Sequence, residues 1–268
     1  MASKISLTLK HPGVRWIAFG WSGFILENLI LSENRDKIIQ YYGKDNYHYI
    51  YNTLSSVACL SIGWGLLKHG YRKGPTIGSA RGMLSRSIAC CLQGVGLIGF
   101  SQLIPKLQIP VVLKGVDISA DQLSTSNIET VLKGASFNVR CPMDFRSRES
   151  TVGSIYGSER VTRHPMLWSL GLFGLGHAFR TIYITEIVMG SFPFIFAYIG
   201  GAHQDSRYRR GMGGHFSLEE EETTSHIPFM ALIQGSQSWG TLANEIKWTN
   251  AGLAALIALR LLAKKIKK

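Results

Sequence analysis

Long uncharged stretches alternate along the chain with short charged ones, at lengths that suit helices rather than strands. Residues 49–67 run for 19 positions without a charged side chain, and residues 87–104 for 18. A bilayer core of roughly 30 Å is crossed by about 20 residues of helix, so both stretches read as membrane spans. Residues 12–32 carry only Arg15 and Glu27 and read as a third. Residues 165–179 and 181–202 are separated by Arg180 alone, and the second holds one charge, Glu186. They read as a helical hairpin turning near residues 180–185. Residues 248–263, interrupted by Arg260 and followed by four lysines, are either a sixth span or an amphipathic helix lying at the interface. The stretch 105–163 holds Pro105, Pro110 and Pro142 among Ser, Thr, Asn and Asp clusters, and reads as an irregular lid over one membrane face. The expected fold is therefore all-α: a polytopic transmembrane helix bundle of about five to six membrane helices with an irregular extramembrane loop region. Its parts are N-terminal membrane helices (1–104), the loop (105–163), and a C-terminal part (164–268) of hairpin, interfacial segment and last helix.

Composition agrees with this pattern. Of 268 residues 17% are charged, below the roughly 25% of soluble domains, and mean hydropathy is slightly positive. That excludes disorder, which needs low hydrophobicity, and disfavours an ordinary soluble enzyme. Lys and Arg outnumber Asp and Glu by 29 to 17, a net charge of +12. With six spans, residues 1–15, 68–86, 180 and the C-terminal tail share one side and hold 14 Lys and Arg. The short segments opposite, 33–48 and 203–248, hold 7. Long loops translocate largely regardless of charge, so 105–164 is left out of the comparison, and both termini are expected on the positive side. The basic residues sit at helix ends, where they reach the headgroups, and not interleaved with aromatics as nucleic-acid binding requires. Membrane lipids are thus the expected partners, and nucleic acid is not. The first span, preceded by no transit pattern, reads as the address if an organelle imports the chain. Cys59, Cys90, Cys91 and Cys141 form no CxxC pair and are too few for a disulfide scaffold.

Two formal signals carry no chemistry. Gly94-Val95-Gly96-Leu97-Ile98-Gly99 matches GxGxxG, but it lies inside an uncharged span, where small residues let a neighbouring helix approach. Residues 219–222, four glutamates in a row, read as a solvated helix start or loop, since adjacent carboxylates on one helix cannot converge on an ion.

The informative stretch is Arg160-Val161-Thr162-Arg163-His164-Pro165-Met166-Leu167-Trp168. Pro165 suits a first helical turn, which places His164 at the helix mouth beside Arg163. His177 follows 13 residues later, about 20 Å along the same helix, too far to share a metal with His164. The antiparallel return of the hairpin brings His203 to the level of His164. Two imidazoles at one level are what a bundle uses to hold a haem; capping or interfacial histidines are the other reading. His177, Arg180 and Glu186 fall near the hairpin tip, either as a structural pair or as a functional group at membrane depth.

The string 160–168, with a histidine following in Gly174-Leu175-Gly176-His177-Ala178-Phe179, resembles the signature of NnrU-domain membrane proteins, which include the 15-cis-zeta-carotene isomerases. Residues 43–65 are similar to the family's second-helix segment, Ala202-His203-Gln204-Asp205-Ser206-Arg207 to the stretch ending the hairpin, and residues 224–232 to the isomerases' closing TSxIPFxAxL. Together these cover most of residues 12–235. The resemblance implies a helical membrane bundle and, in the isomerase branch, a haem b held by histidines that promotes cis–trans isomerisation of a polyene. By that carry-over His164 is an axial ligand. The family's other histidine lies near the end of the first span, where this chain reads Leu26-Glu27-Asn28-Leu29. Asn28 is a poor substitute for imidazole on iron, so either His203 takes its place, the iron is five-coordinate, or no haem is held. The broken ligand set points first to a non-catalytic accessory subunit of an energy-transducing complex, partnered by other membrane subunits in an organellar inner membrane. The mitochondrial membrane is preferred to the plastid or thylakoid one. A haem b-dependent carotenoid-type isomerase is the alternative, and a denitrification-associated NnrU protein the third reading.

Overall fold

Proline, glycine and charge place the helix ends in the sequence. A computed structural model describes residues 10–78, 82–104, 155–215 and 217–263. Cys141, the terminal lysines and most of the expected lid lie outside the described residues. α1 (Pro12–Glu33) starts on a proline at its first position, where the missing N–H costs nothing. A short helix α2 (Arg35–Tyr42) follows and stops at Gly43, whose φ of 84° suits glycine. α3 (Lys44–Gly65) passes into a π turn at Leu66–Gly70. α4 spans Met83–Leu103. A 3₁₀ turn at Gly157–Arg160 precedes the hairpin of α5 (Pro165–Arg180) and α6 (Ile184–Arg209). Three short helices, α7 (Leu218–Thr223), α8 (Met230–Ile233) and α9 (Trp239–Glu245), lead to α10 (Trp248–Ala263). Among the described residues no strand forms, only an isolated bridge between Thr76 and Tyr183.

Among the described residues, each of the six apolar segments forms a helix. The hairpin turn is tighter than expected, with α6 under way at Ile184, and α6 continues past residue 202 to Arg209. α1, α3 with its π turn, α4 and α6 are each long and apolar enough to cross a membrane. α5 and α10 have 16 residues each, about 24 Å of helix, and lie alongside them. The glutamate run forms the start of α7, with Ser217 Oγ accepting from the Glu220 N–H, an N-cap that satisfies one of the free donors of the first turn.

The helices pack in a row, α3–α1–α6–α5–α4–α10. One end gathers the start of α1 against His69, the Thr185 hydroxyl on Gly70 O (2.8 Å), Ser85 Oγ on Phe179 O (2.7 Å) and Arg180 Nη1 on Leu261 O (2.9 Å). The other gathers Ser32 with His203 (2.9 Å), Arg210 with Glu33, and Asn250 Nδ2 on Ser101 O (3.0 Å). Successive long helices therefore run antiparallel, as the odd and even spans of a serpentine chain must.

The core lies where α1, α6 and α5 meet: Ile17, Trp21, Phe24, Ile25, Leu167, Trp168, Phe196 and Ala197 with Ile62 from α3. Phe24 and Phe196 rings pack edge-on at 5.4 Å, a geometry that sets positive ring edge on negative face. The glycines mark the closest helix contacts. A Cβ at Gly96 would sit 2.7 Å from both Ser169 O and Phe173 N, and one at Gly174 2.7 Å from Gly190 O. The GxGxxG string is thus a packing face, with Gly96 and Gly99 against Ser169 of α5.

Candidate functional site at the mouth of the hairpin

Pro165 opens α5 and leaves His164 as the residue before its first turn, held at φ −123°, with its N–H on Thr162 Oγ1 at 3.3 Å. α6 returns to the same end, and the segment 224–229 closes over both. Two backbone bonds pin that segment: Arg163 N–H donates to Ser225 O (2.9 Å) and Phe229 N–H to Val161 O (2.9 Å). Thr162 Oγ1 adds a third, to His226 O at 2.7 Å. Phe229 adopts φ 64° to end it, a left-handed conformation that costs a non-glycine residue and is held by these bonds.

Asp205 is the hub. Its Oδ1 accepts from His164 Nε2 at 2.7 Å, and its Oδ2 from Arg163 Nη2 at 2.6 Å and Nε at 3.1 Å. Arg163 Nη1 also donates to Thr224 O at 3.2 Å. His164, Asp205 and Thr162 are buried, so each carboxylate oxygen is satisfied by a charge-assisted donor, as burial of a carboxylate demands. His226 lies edge-on to His164, ring centroids 5.4 Å apart, between Trp168 (5.5 Å) and Tyr198 (5.7 Å). Its Nε2–H donates to Tyr198 O at 3.1 Å, while its Nδ1 is buried without a partner. Burial, then the neighbouring His164, holds the His226 imidazole below its ordinary pKa, in the neutral form.

His203 and His164 stand at the same end of the hairpin, as their levels predict, but the structure does not bring them together. Residues two apart on a helix are turned by about 200°, so Asp205 faces α5 and His203 faces α1. With the Ser32 hydroxyl donating to Leu29 O (3.1 Å), His203 Nε2–H donates to Ser32 Oγ at 2.9 Å, 3.8 Å from Glu33 Oε2. Asn28 is fully enclosed: its Nδ2 donates to Phe24 O (2.8 Å) and its Oδ1 accepts from Tyr51 OH (2.5 Å). At the hairpin tip His177 Nε2 lies 3.4 Å from Glu186 Oε2, which also accepts from Thr181 Oγ1 (2.6 Å). Glu186 Oε1 accepts from the Arg72 N–H at 2.8 Å, and Arg180 turns instead to α10. Asp205 and His226, the residues that meet His164, lie within the strings 202–207 and 224–232; the rotation of Asp205 relative to His203 was the legible signal for one of them.

These positions test the haem ligand set. His203 Nε2–H is engaged by Ser32 on the α1 side, away from His164, and both ends of the Asn28 amide are bonded. The rings of Phe24, Phe196 and Trp168 fill the space between α1, α6 and α5. As held, His164, His203 and Asn28 do not fit the two faces of one porphyrin. What does converge is His164, Asp205 and His226, whose ligand-type atoms all lie within 4.8 Å of one another.

The family model described as NnrU protein matches residues 17–264, a range that runs from the second turn of α1 to the end of α10. No curated protein and no solved structure matches the chain.

Proposed function

Because the chain belongs to the NnrU family, we propose that it is a non-catalytic accessory subunit of an energy-transducing membrane complex, seated in an organellar inner membrane and in the first place the mitochondrial one. The observation that carries this reading is Asn28. It stands where the isomerases of the family carry a histidine, it is wholly enclosed, and both ends of its amide are bonded to Phe24 and Tyr51. A side chain so placed braces α1 against α3 and presents nothing to a substrate. The packed aromatic interior supports the same reading, since a polyene isomerase needs a tunnel between its helices. α3 and α10, at the two ends of the helix row, present Val57, Leu60 and Trp64, and Leu256 and Leu259, outward for lipid and for neighbouring subunits.

The test is purification in mild detergent from the native membrane, followed by native electrophoresis, mass spectrometry of the band and a pyridine haemochrome assay. A stable high-mass assembly containing redox or proton-pumping subunits, with no haem stoichiometric to this chain, is the expected result. A monodisperse single chain carrying one b-type haem overturns it and leaves the haem b-dependent isomerase, for which His164→Ala would abolish the Soret band.

A further inference from the structure

We propose that His164, Asp205 and His226 form a non-haem site for one divalent transition-metal ion of the zinc or ferrous class. Two imidazoles and a carboxylate are the donor set such ions take, with a remaining position open to water. Their donor atoms already lie within 4.8 Å of one another. A tetrahedral ion with bonds of about 2.0–2.2 Å spaces its ligands by roughly 3.4 Å, so side-chain adjustment suffices and the backbone stays. The His164–Asp205 hydrogen bond is what such an ion replaces: the His164 proton passes to Nδ1, and Nε2 and Oδ1 part to take the ion between them.

The second observation is independent of that clustering. His226 is fixed in one tautomer, because its Nε2–H donates to Tyr198 O, and the lone pair is therefore on Nδ1. That nitrogen is buried and has no partner. An unmet buried acceptor is costly, and an imidazole with one nitrogen on a backbone carbonyl and the other bare is the form metal-binding histidines take. Asp205 is braced in the same way, its second oxygen held by Arg163 at 2.6 Å. That arrangement fixes the carboxylate's orientation and leaves Oδ1 facing the two rings. Gly201 completes the site. A Cβ there would come within 2.7 Å of His226 Nδ1 and 2.8 Å of His164 Cδ2, so only glycine lets α6 pass this close to both rings.

The site is independent of the accessory-subunit reading, and so is its test. The full chain, purified in detergent, is assayed for metal by inductively coupled plasma mass spectrometry, then stripped and titrated with Co²⁺ while its visible ligand-field bands are followed. Wild type and the His203→Ala control are expected to hold about one ion per chain. His226→Ala and Asp205→Asn are expected to hold less than a tenth of that, with wild-type helicity by circular dichroism. X-ray absorption of the Co²⁺-loaded wild type reads the ligands directly and is expected to show two imidazoles, so the result stands even where a variant fails to fold. Wild type with only trace metal and no Co²⁺ bands, full occupancy in His226→Ala, or a Co²⁺ shell without imidazole overturns the proposal. None of these outcomes depends on whether partner subunits co-purify.

Discussion

Asn28 and Tyr51 illustrate how a polar pair is kept inside an apolar bundle: each buried polar atom of the amide has a partner, and the pair links α1 to α3. Tyr51→Phe strips the donor and leaves Asn28 Oδ1 enclosed and bare, which costs about 1–3 kcal/mol; thermal unfolding in detergent should show the loss, and a variant melting with wild type would contradict it. Outside the membrane helices, Arg160 grips Glu245 through Nε and Nη2, both at 2.7 Å, and the Gly157 N–H adds a bond of 2.6 Å to the same carboxylate. The hydrogen bonds from Arg160 hold the Glu245 carboxyl below its usual 4.5 and raise the guanidinium in turn. A carboxyl lowered on folding adds stability above its unfolded pKa and loses it as pH falls through the folded one. The melting-temperature gap between wild type and Glu245→Gln is therefore expected at pH 7 and should close as acidification below 4.5 carries the pH through the lowered pKa of the folded state. A gap that persists in acid would mean that the carboxylate's charge contributes nothing there.

At the scale of elements, α4, α5 and α6 are held together by what their glycines lack. Gly96 faces Ser169 O and Phe173 N, and Gly174 and Gly190 face each other. Because the obstacles are backbone atoms, no rotamer change makes room, and the helices themselves must separate. Gly96→Val is expected to cost about 1–3 kcal/mol through overpacking and to weaken a disulfide engineered between α4 and α5. Gly23, which meets nothing within 4 Å, is the control, and Gly23→Ala should leave the melt unchanged or slightly raised. Pro193 inside α6 belongs to the same contact, its backbone and ring lying against Gly171 and Gly174.

Across the whole molecule, helix ends sort into two sets, and charge assigns them to sides. In a cysteine-free background, single cysteines at Lys73 and Arg180 should be labelled by an impermeant maleimide from one side of sealed vesicles, and those at Lys44 and Lys247 from the other. Labelling of Lys73 and Lys44 from the same side would mean that α3 does not cross the membrane. The amino-acid order by itself determined this much: uncharged runs of membrane length can only become helices, because a backbone in hydrocarbon must satisfy its own hydrogen bonds. It also placed Pro165 at the start of α5 and the glycine string in a packing face. The short helix α2, the extension of α6 to Arg209 and the company His164 keeps are products of the tertiary structure. Level along a helix follows from counting residues, but which neighbour a side chain meets depends on rotation about the axis and on where a distant segment closes. So His203 turned to α1, Asp205 took the place beside His164 that was expected of His203, and His226 arrived on the segment 224–229, 62 residues along the chain from His164 and against its ring in space.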